Sequence, residues 1–152
     1  MPRWYFEDFT PGFVLHGQGP TVTREDIIDF ATKFDPQPFH LSDEAAKGTL
    51  FGALCASGWH TASMCMRMMC DAWLLDSASL GSPGVDNLRW LKPVFVGDTL
   101  RFTLTVLEQR PSRSRPDMGS VLGKQEVHNQ KGEAVLEMTS WAMFRKRAAD
   151  AQ

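Results

Sequence analysis

An acid and an imidazole stand five residues apart in Asp35-Pro36-Gln37-Pro38-Phe39-His40, with two prolines between them. Carboxylate plus imidazole is the smallest set of side chains that can take a proton from water and return one near neutral pH. The prolines restrict where these groups point. Each fixes its own φ and pushes the residue before it, Asp35 or Gln37, towards extended geometry. The pair therefore cannot share one helix face, and the spacing predicts that it projects from a rigid, non-helical loop. The plain alternative is a helix-ending loop in which Asp35 caps a terminus and His40 is a satisfied or exposed ring. Spacing alone leaves both open.

Helices must hold that loop on either side. Thr23 is placed as an N-cap with Asp26 three residues on, as in a capping box. Ile27, Ile28, Phe30, Ala31 and Phe34 then supply an apolar face that stops at Pro36. After His40, Ser42 caps a short helix closed by Lys47-Gly48. Small residues over 51–56 lead into the second organising element, a helix expected over about residues 57–75. Trp59, Ala62, Met66, Met69 and Trp73 recur at spacings of three and four, and Thr61, Cys65, Met68, Ala72 and Leu75 form a second stripe. Polar groups are confined to His60, Ser63, Arg67 and Asp71. A helix this apolar is expected to be enclosed. At about 18 residues it would span roughly 27 Å, enough to cross a small sheet. The Met and Trp stripes read as core, not as a cofactor box.

The remainder reads as strands. Residues 6–11 are an irregular lead-in and 12–21 a first strand with three glycines. Segments 85–91, 99–109, 120–128 and 133–144 follow, and Leu100, Phe102, Leu104 and Val106 alternate with Thr99, Arg101, Thr103 and Thr105 as a half-buried strand must. Residues 110–119 are expected to form a polar surface loop, 129–132 a hairpin turn, and 145–152 a frayed tail. Helices followed by a run of strands argue α+β, in one domain over 1–152. With 43% hydrophobic and 22% charged residues the composition is globular, and a net charge of −2 gives no reason to expect nucleic acid or an anionic membrane as partner. Cys55, Cys65 and Cys70 lack a C-x-x-C pair and read as reduced thiols, which suits a cytoplasmic location. No metal-ligand spacing, signal peptide or transmembrane run is present. His16 and His128 read as strand residues without a role.

The acid–imidazole segment resembles the D-x-N-P-x-H signature of MaoC-like dehydratases, the family of (R)-specific enoyl-CoA hydratases with the hotdog fold. Ala56-Ser57-Gly58-Trp59 stands where that family carries an A-H-G-M-like segment opening its central helix. Arg89-Trp90-Leu91-Lys92-Pro93-Val94-Phe95-Val96-Gly97-Asp98-Thr99-Leu100 is similar to its K/R-P-V-x-x-G-D segment. The three appear in the family's order and cover roughly residues 5 to 145. Gln37 replaces the usual Asn and Ser57 the usual His. The resemblance implies a hotdog domain, a long helix wrapped by a curved antiparallel sheet, that forms a homodimer or a higher oligomer. It implies an acyl-CoA thioester as substrate and no cofactor beyond the coenzyme A the substrate carries. Asp35 and His40 would hold the water, and the Gly58 N–H would hold the thioester oxygen. Gln37, Phe39, Phe51, Ser57 and Trp59 would line the substrate. Ionised Asp35 with neutral His40 is the resting state expected for water activation.

Ser57 is expected to cap the central helix with its hydroxyl, and His60, one turn on, to be a boundary residue. Bulky Phe39, Leu50, Phe51, Leu54, Trp59 and Met66 are expected to close the acyl pocket and favour groups of about four to six carbons. Two other readings share the scaffold. A hotdog thioesterase would direct water at the thioester carbonyl with a carboxylate on or beside the central helix, for which Asp71 lies too far along. A non-catalytic acyl-CoA-binding domain would not need to keep both Asp35 and His40.

Overall fold

The computed structural model describes residues 1–148. Its elements follow the sequence periods: strand β1 (Val14–Thr21), helices α1 (Arg24–Phe34), α2 (Asp43–Lys47) and α3 (Gly58–Ala72), then β2 (Ser79–Gly81), β3 (Asp86–Trp90), β4 (Thr99–Pro111), β5 (Met118–His128) and β6 (Ala134–Arg145). All strand pairs are antiparallel, in the order β1-β4-β5-β6, with β2 and β3 both on the far side of β6. Period two in β4 buries Leu100, Phe102, Leu104 and Val106, and their opposite faces stay accessible. The buried faces of β4, β5 and β6 share one hydrophobic core with α3. This is the hotdog arrangement of α+β type that the resemblance implied.

Helix α3 crosses the sheet closest at β1. A Cβ on Gly17 would stand 3.2 Å from the Ala72 Cβ, so the glycines that weaken this segment as a strand are where the helix passes. Thr61, Met64, Cys65, Met68 and Met69 are buried. The expected enclosure is incomplete. Trp59 is 58% and Met66 48% exposed, so the stripe begun by Trp59 does not face the sheet over its first two turns. The stripe through Thr61, Cys65 and Met68 does. The helix is also shorter than expected, 15 residues or about 22 Å, because a 3-10 turn at Leu74–Asp76 takes over after Trp73.

Other boundaries differ for identifiable reasons. The lead-in is a 3-10 turn, Phe6–Asp8, that sends Phe6 and Phe9 into the core. Phe9 meets Phe144 at 4.6 Å and Trp73 at 5.4 Å between ring centroids. The loop expected at 110–119 shrinks to 112–117, because pairing between β4 and β5 runs on to Pro111 and Gly119. Arginines tolerate a solvent-facing strand as readily as a loop, so composition did not mark that boundary. Strand β2, three residues long, carries no periodicity and was not anticipated. Arg145 ends β6, and Arg147 donates to both carboxylate oxygens of Asp8 at 2.9 and 2.7 Å, so 145–147 are tied down. The rest of the expected tail, 149–152, lies outside the described residues.

His60 belongs to the packing between α1 and α3. It is 7% exposed and stacks on Phe30 with ring centroids 4.9 Å apart and planes 9° from parallel. Its Nδ1 finds no hydrogen-bond partner among the described residues. Burial holds its pKa below the ordinary value, against the opposing pull of Asp26. The unfolded chain binds this proton below about pH 6.5 while the folded chain resists it, so the stability concerned is present above that pH and is lost as pH falls. His60→Phe keeps the stack and removes the titration. Its melting temperature is expected to fall less than that of the wild type between about pH 7.5 and about pH 5. Equal falls would show that the imidazole is not held neutral.

Candidate active site

Asp35 is the residue on which α1 ends. Its N–H still donates to the Ala31 carbonyl at 2.9 Å, and Pro36 then stops the helix and turns the side chain away from the helix surface. Residues Pro38–His40 form a single 3-10 turn with Pro38 at its first position, where a missing N–H costs nothing. The loop expected to be non-helical is thus a C-cap followed by one tight turn. The turn delivers His40 to a buried position, 5% exposed, with Phe39 packed edge-on at 4.6 Å. Phe51 is 6.3 Å from the imidazole.

His40 Nδ1 lies 2.7 Å from the Cys55 carbonyl oxygen. A carbonyl only accepts, so Nδ1 carries the hydrogen, and Nε2 is the nitrogen turned to the open side. Nε2 stands 3.4 Å from Asp35 Oδ2. The acid and the imidazole are therefore brought together.

Asp35 is held from two more directions. The Ser57 hydroxyl donates to Oδ2 at 2.6 Å, and the Gln37 side-chain amide donates to Oδ1 at 2.7 Å. Burial of this carboxyl, 16% exposed, works to raise its pKa. The Ser57 and Gln37 donors and the His40 ring outweigh burial, and the pKa lies below the ordinary value. Ser57 is where the structure departs from a plain cap. It occupies the N-cap position of α3 and is fully buried, but its hydroxyl makes no capping bond and is spent on Asp35. Gln37 keeps an amide at the carboxylate despite its extra methylene.

Gly58 follows Ser57 as the first residue of α3. Its N–H is among the four that no carbonyl of the same helix reaches, at the end where the dipole favours negative charge. A side chain here would meet something unexpected. A Cβ on Gly58 would fall 2.5 Å from Cε2 and 2.6 Å from Cδ2 of Trp90. Glycine is needed at this point for the indole of β3 as well as for any ligand.

These groups open into one cleft of about 400 Å³, within the range of small-molecule sites. It is lined by Asp35, Gln37, His40, Ser57 and Gly58, with Phe39, Phe51 and Trp59 as its aromatic walls. All eight residues singled out from the sequence thus meet at one place. Three expected wall residues do not: Leu50 and Met66 are exposed elsewhere, and Leu54 is in the core. The sequence reading missed Trp90, Leu91, Lys92, Pro93 and Val94, which form another wall. Their signal was present, because Leu88 and Trp90 share one face of a strand by period two. The Cys55 carbonyl carried no side-chain signal. His16 and His128 lie beside a separate cleft at the other side of the sheet, His16 Nδ1 being 3.3 Å from Thr103 Oγ1. Asp71, the only acid on α3, pairs with Arg67 on the exposed face and takes no part in the cleft. Among the described residues no cluster of three His, Cys, Asp or Glu is placed to hold a metal, and no helix is long and apolar enough to cross a membrane.

Comparison with known proteins bears on this geometry. The family model of the MaoC like domain matches residues 10–130. The chain is 39% identical to a MaoC-like dehydratase from Rhodospirillum rubrum of known structure, with a TM-score of 0.89 over 95% of this chain and 99% of that one. It is 27% identical to the 3-hydroxybutyryl-CoA dehydratase of Methylorubrum extorquens over 88% of this chain and 83% of that one. A double-hotdog protein of Mycobacterium tuberculosis, 19% identical, shares the fold with a TM-score of 0.79 over 97% of this chain and 46% of its own.

Ser57→Ala isolates the bond that orders the carboxylate. Losing a donor to a charged group is expected to cost about 1.5–3 kcal/mol of stability at neutral pH. With burial then less opposed, Asp35 should titrate at higher pH than in the wild type, and Ser57→Thr should restore the wild-type position. Carbon-detected NMR titration of the Asp35 carboxyl checks this. An unchanged midpoint in Ser57→Ala would show that the hydroxyl does not act on the carboxylate.

Proposed function

The chain belongs to the MaoC-like domain family, and from that premise we propose that it reversibly hydrates a trans-2-enoyl-CoA to an (R)-3-hydroxyacyl-CoA. The observation that carries the reading is the Asp35–His40 pair, 3.4 Å apart, opening into the same cleft as the Gly58 N–H. A water held between the Asp35 carboxylate and His40 Nε2 attacks C3 of the acyl group. Its O–H bond breaks as the C3–O bond forms, and the dyad passes the proton to C2. The electron pair of the double bond moves through C2 onto the thioester oxygen, where the Gly58 N–H and the α3 dipole stabilise the developing enolate. Protonation at C2 restores the thioester. The same steps reversed are a dehydration.

Each element of the site supports one part of that sequence. The Cys55 carbonyl fixes which nitrogen of His40 faces the water, and Ser57 and Gln37 favour the ionised form of Asp35. Phe39 and Phe51 beside His40 favour short acyl groups of about four to six carbons. A thioesterase reading has less support, because no acid of α3 faces the cleft.

Asp35→Asn is expected to lower kcat/KM for crotonyl-CoA hydration by at least about 10²-fold, and His40→Gln likewise. His40→Gln is preferred to alanine, which would leave the Cys55 carbonyl buried without a donor. Chiral analysis of the product and a series of enoyl-CoAs from about four to about twelve carbons complete the test. Near-normal turnover by either variant would remove the dyad from the mechanism, and a maximum at about eight carbons or more would show that Phe39 and Phe51 do not close the pocket.

The working form in this reading is a homodimer. Trp59, Trp90 and Leu91 expose apolar surface at the cleft, and β3 has one edge unpaired among the described residues. A two-fold partner that extends the sheet covers both. Light scattering after size exclusion at micromolar concentration should give twice the chain mass of 17.1 kDa; a monomer mass refutes the dimer.

A further inference from the structure

The hydratase reading accounts for Asp35, His40, Ser57 and Gly58, but not for a tryptophan lying flat on the glycine. Trp90 is carried by the end of β3, where pairing with β6 shifts register between Asp86 and Arg89 and Asn87 takes a positive φ of 53°. The shift is of the bulge type that re-aims side chains. From there Trp90 pairs with Leu136, and the Leu91 N–H donates to the Val135 carbonyl at 2.9 Å, so the backbone on both sides is fixed. The indole covers the flank of Gly58: Cε2, Cδ2 and Nε1 would be 2.5, 2.6 and 2.8 Å from a Cβ on that residue. Trp59 meets it edge-on, ring centroids 5.2 Å apart and planes at 79°, which hinders the ring from swinging outward. Trp90 is 45% exposed and outside the core cluster, yet it lines the cleft with Asp35 and His40.

In the hydratase reading, C1 of the acyl group sits at the Gly58 N–H and C3 at the dyad. C2 lies between them, one bond from each. The wall beside Gly58 is therefore the wall beside C2, whereas Phe39 and Phe51 stand beyond C3. We propose that Trp90 is a specificity-determining residue that restricts substitution on the α-carbon, and that the preferred substrates are enoyl thioesters bearing only hydrogen at C2. A hydrogen there fits against the indole face. A methyl group on that flank must displace a ring held by Trp59, or lift the thioester oxygen from the Gly58 N–H and lose the interaction that stabilises the enolate. The inference rests on the hydratase reading for the placement of C1 and C3. The flat contact on Gly58 is independent of it.

The test compares crotonyl-CoA with its α-methyl counterpart, tiglyl-CoA, in the wild type and in Trp90→Leu and Trp90→Ala. One methyl group in a pocket is worth roughly 10–200-fold. The wild type is expected to favour crotonyl-CoA by about tenfold or more, and the variants to shrink that ratio by about tenfold, whatever their absolute rates. Binding by calorimetry of the saturated pair butyryl-CoA and 2-methylbutyryl-CoA should follow the same ordering without any turnover. A ratio that stays within about twofold of wild type in Trp90→Leu overturns the inference, as does a wild type that does not discriminate. A uniform fall on both substrates would leave Trp90 as a packing residue only. If the wild type hydrates neither thioester and binds neither saturated analogue, the hydratase reading itself fails, and that outcome is distinct from an unchanged ratio in an active enzyme.

Discussion

The hydrogen bond from the Ser57 hydroxyl to the Asp35 carboxylate, 2.6 Å long and spanning 22 residues of sequence, is the contact on which the site depends. It joins the residue that ends α1 to the residue that begins α3. Once the two are joined, the intervening chain must close a loop whose ends are fixed. The 3-10 turn, α2 and the small residues at 51–56 are what fit in it. His40 is then held by its own bond back to Cys55, two residues before Ser57, and both halves of the dyad become attached to the same short stretch of chain. A site built this way is as rigid as the helix that carries it, and α3 is clamped by the sheet through Thr61, Cys65 and Met68.

Electrostatics follow from that connection. An acid this far out of solvent would resist ionisation if it stood alone. Two neutral donors and the neighbouring imidazole reverse the balance and favour the ionised carboxylate. His60, one turn along the same helix, shows the opposite case. It is about as buried as His40, it stacks on an apolar ring, and burial holds its pKa below the ordinary value. Two histidines twenty residues apart thus receive opposite treatment, one given a carboxylate and a carbonyl, the other a phenyl face.

The aromatic residues divide in the same spatial way. Phe6, Phe9, Trp73 and Phe144 fill the far end of the sheet, under the C-terminus of α3. Phe39 and Phe51 surround His40, and Trp59 and Trp90 sit at the N-terminus of α3 with about half their surface open. Exposed tryptophan beside a polar cleft is costly in a lone chain, and it is consistent with a surface that is covered by substrate or by a second copy.

How much of this could be read from the chain alone is visible residue by residue. The two prolines dictated that Asp35 ends a helix and that His40 cannot continue it, because proline acts through its own ring and needs no tertiary partner. Period two set the inward face of β4, and spacings of three and four identified α3. The sequence supplied the family resemblance, the fold class and eight of the residues that line the cleft. Tertiary structure decided the rest. Which stripe of α3 faces the sheet over its first two turns was open, since both are apolar and only the one through Thr61 and Cys65 is buried there. Ser57 has the composition of a cap in any sequence, and only the arrival of Asp35 from another helix turns its hydroxyl away from the backbone. Trp90 looks like an ordinary strand residue until β6 sets its register and lays the indole on Gly58. Local rules act through bonds and near neighbours, so they carry over from sequence. Contacts between residues far apart in the chain depend on the packing that brings them together, and no local pattern encodes which partner arrives.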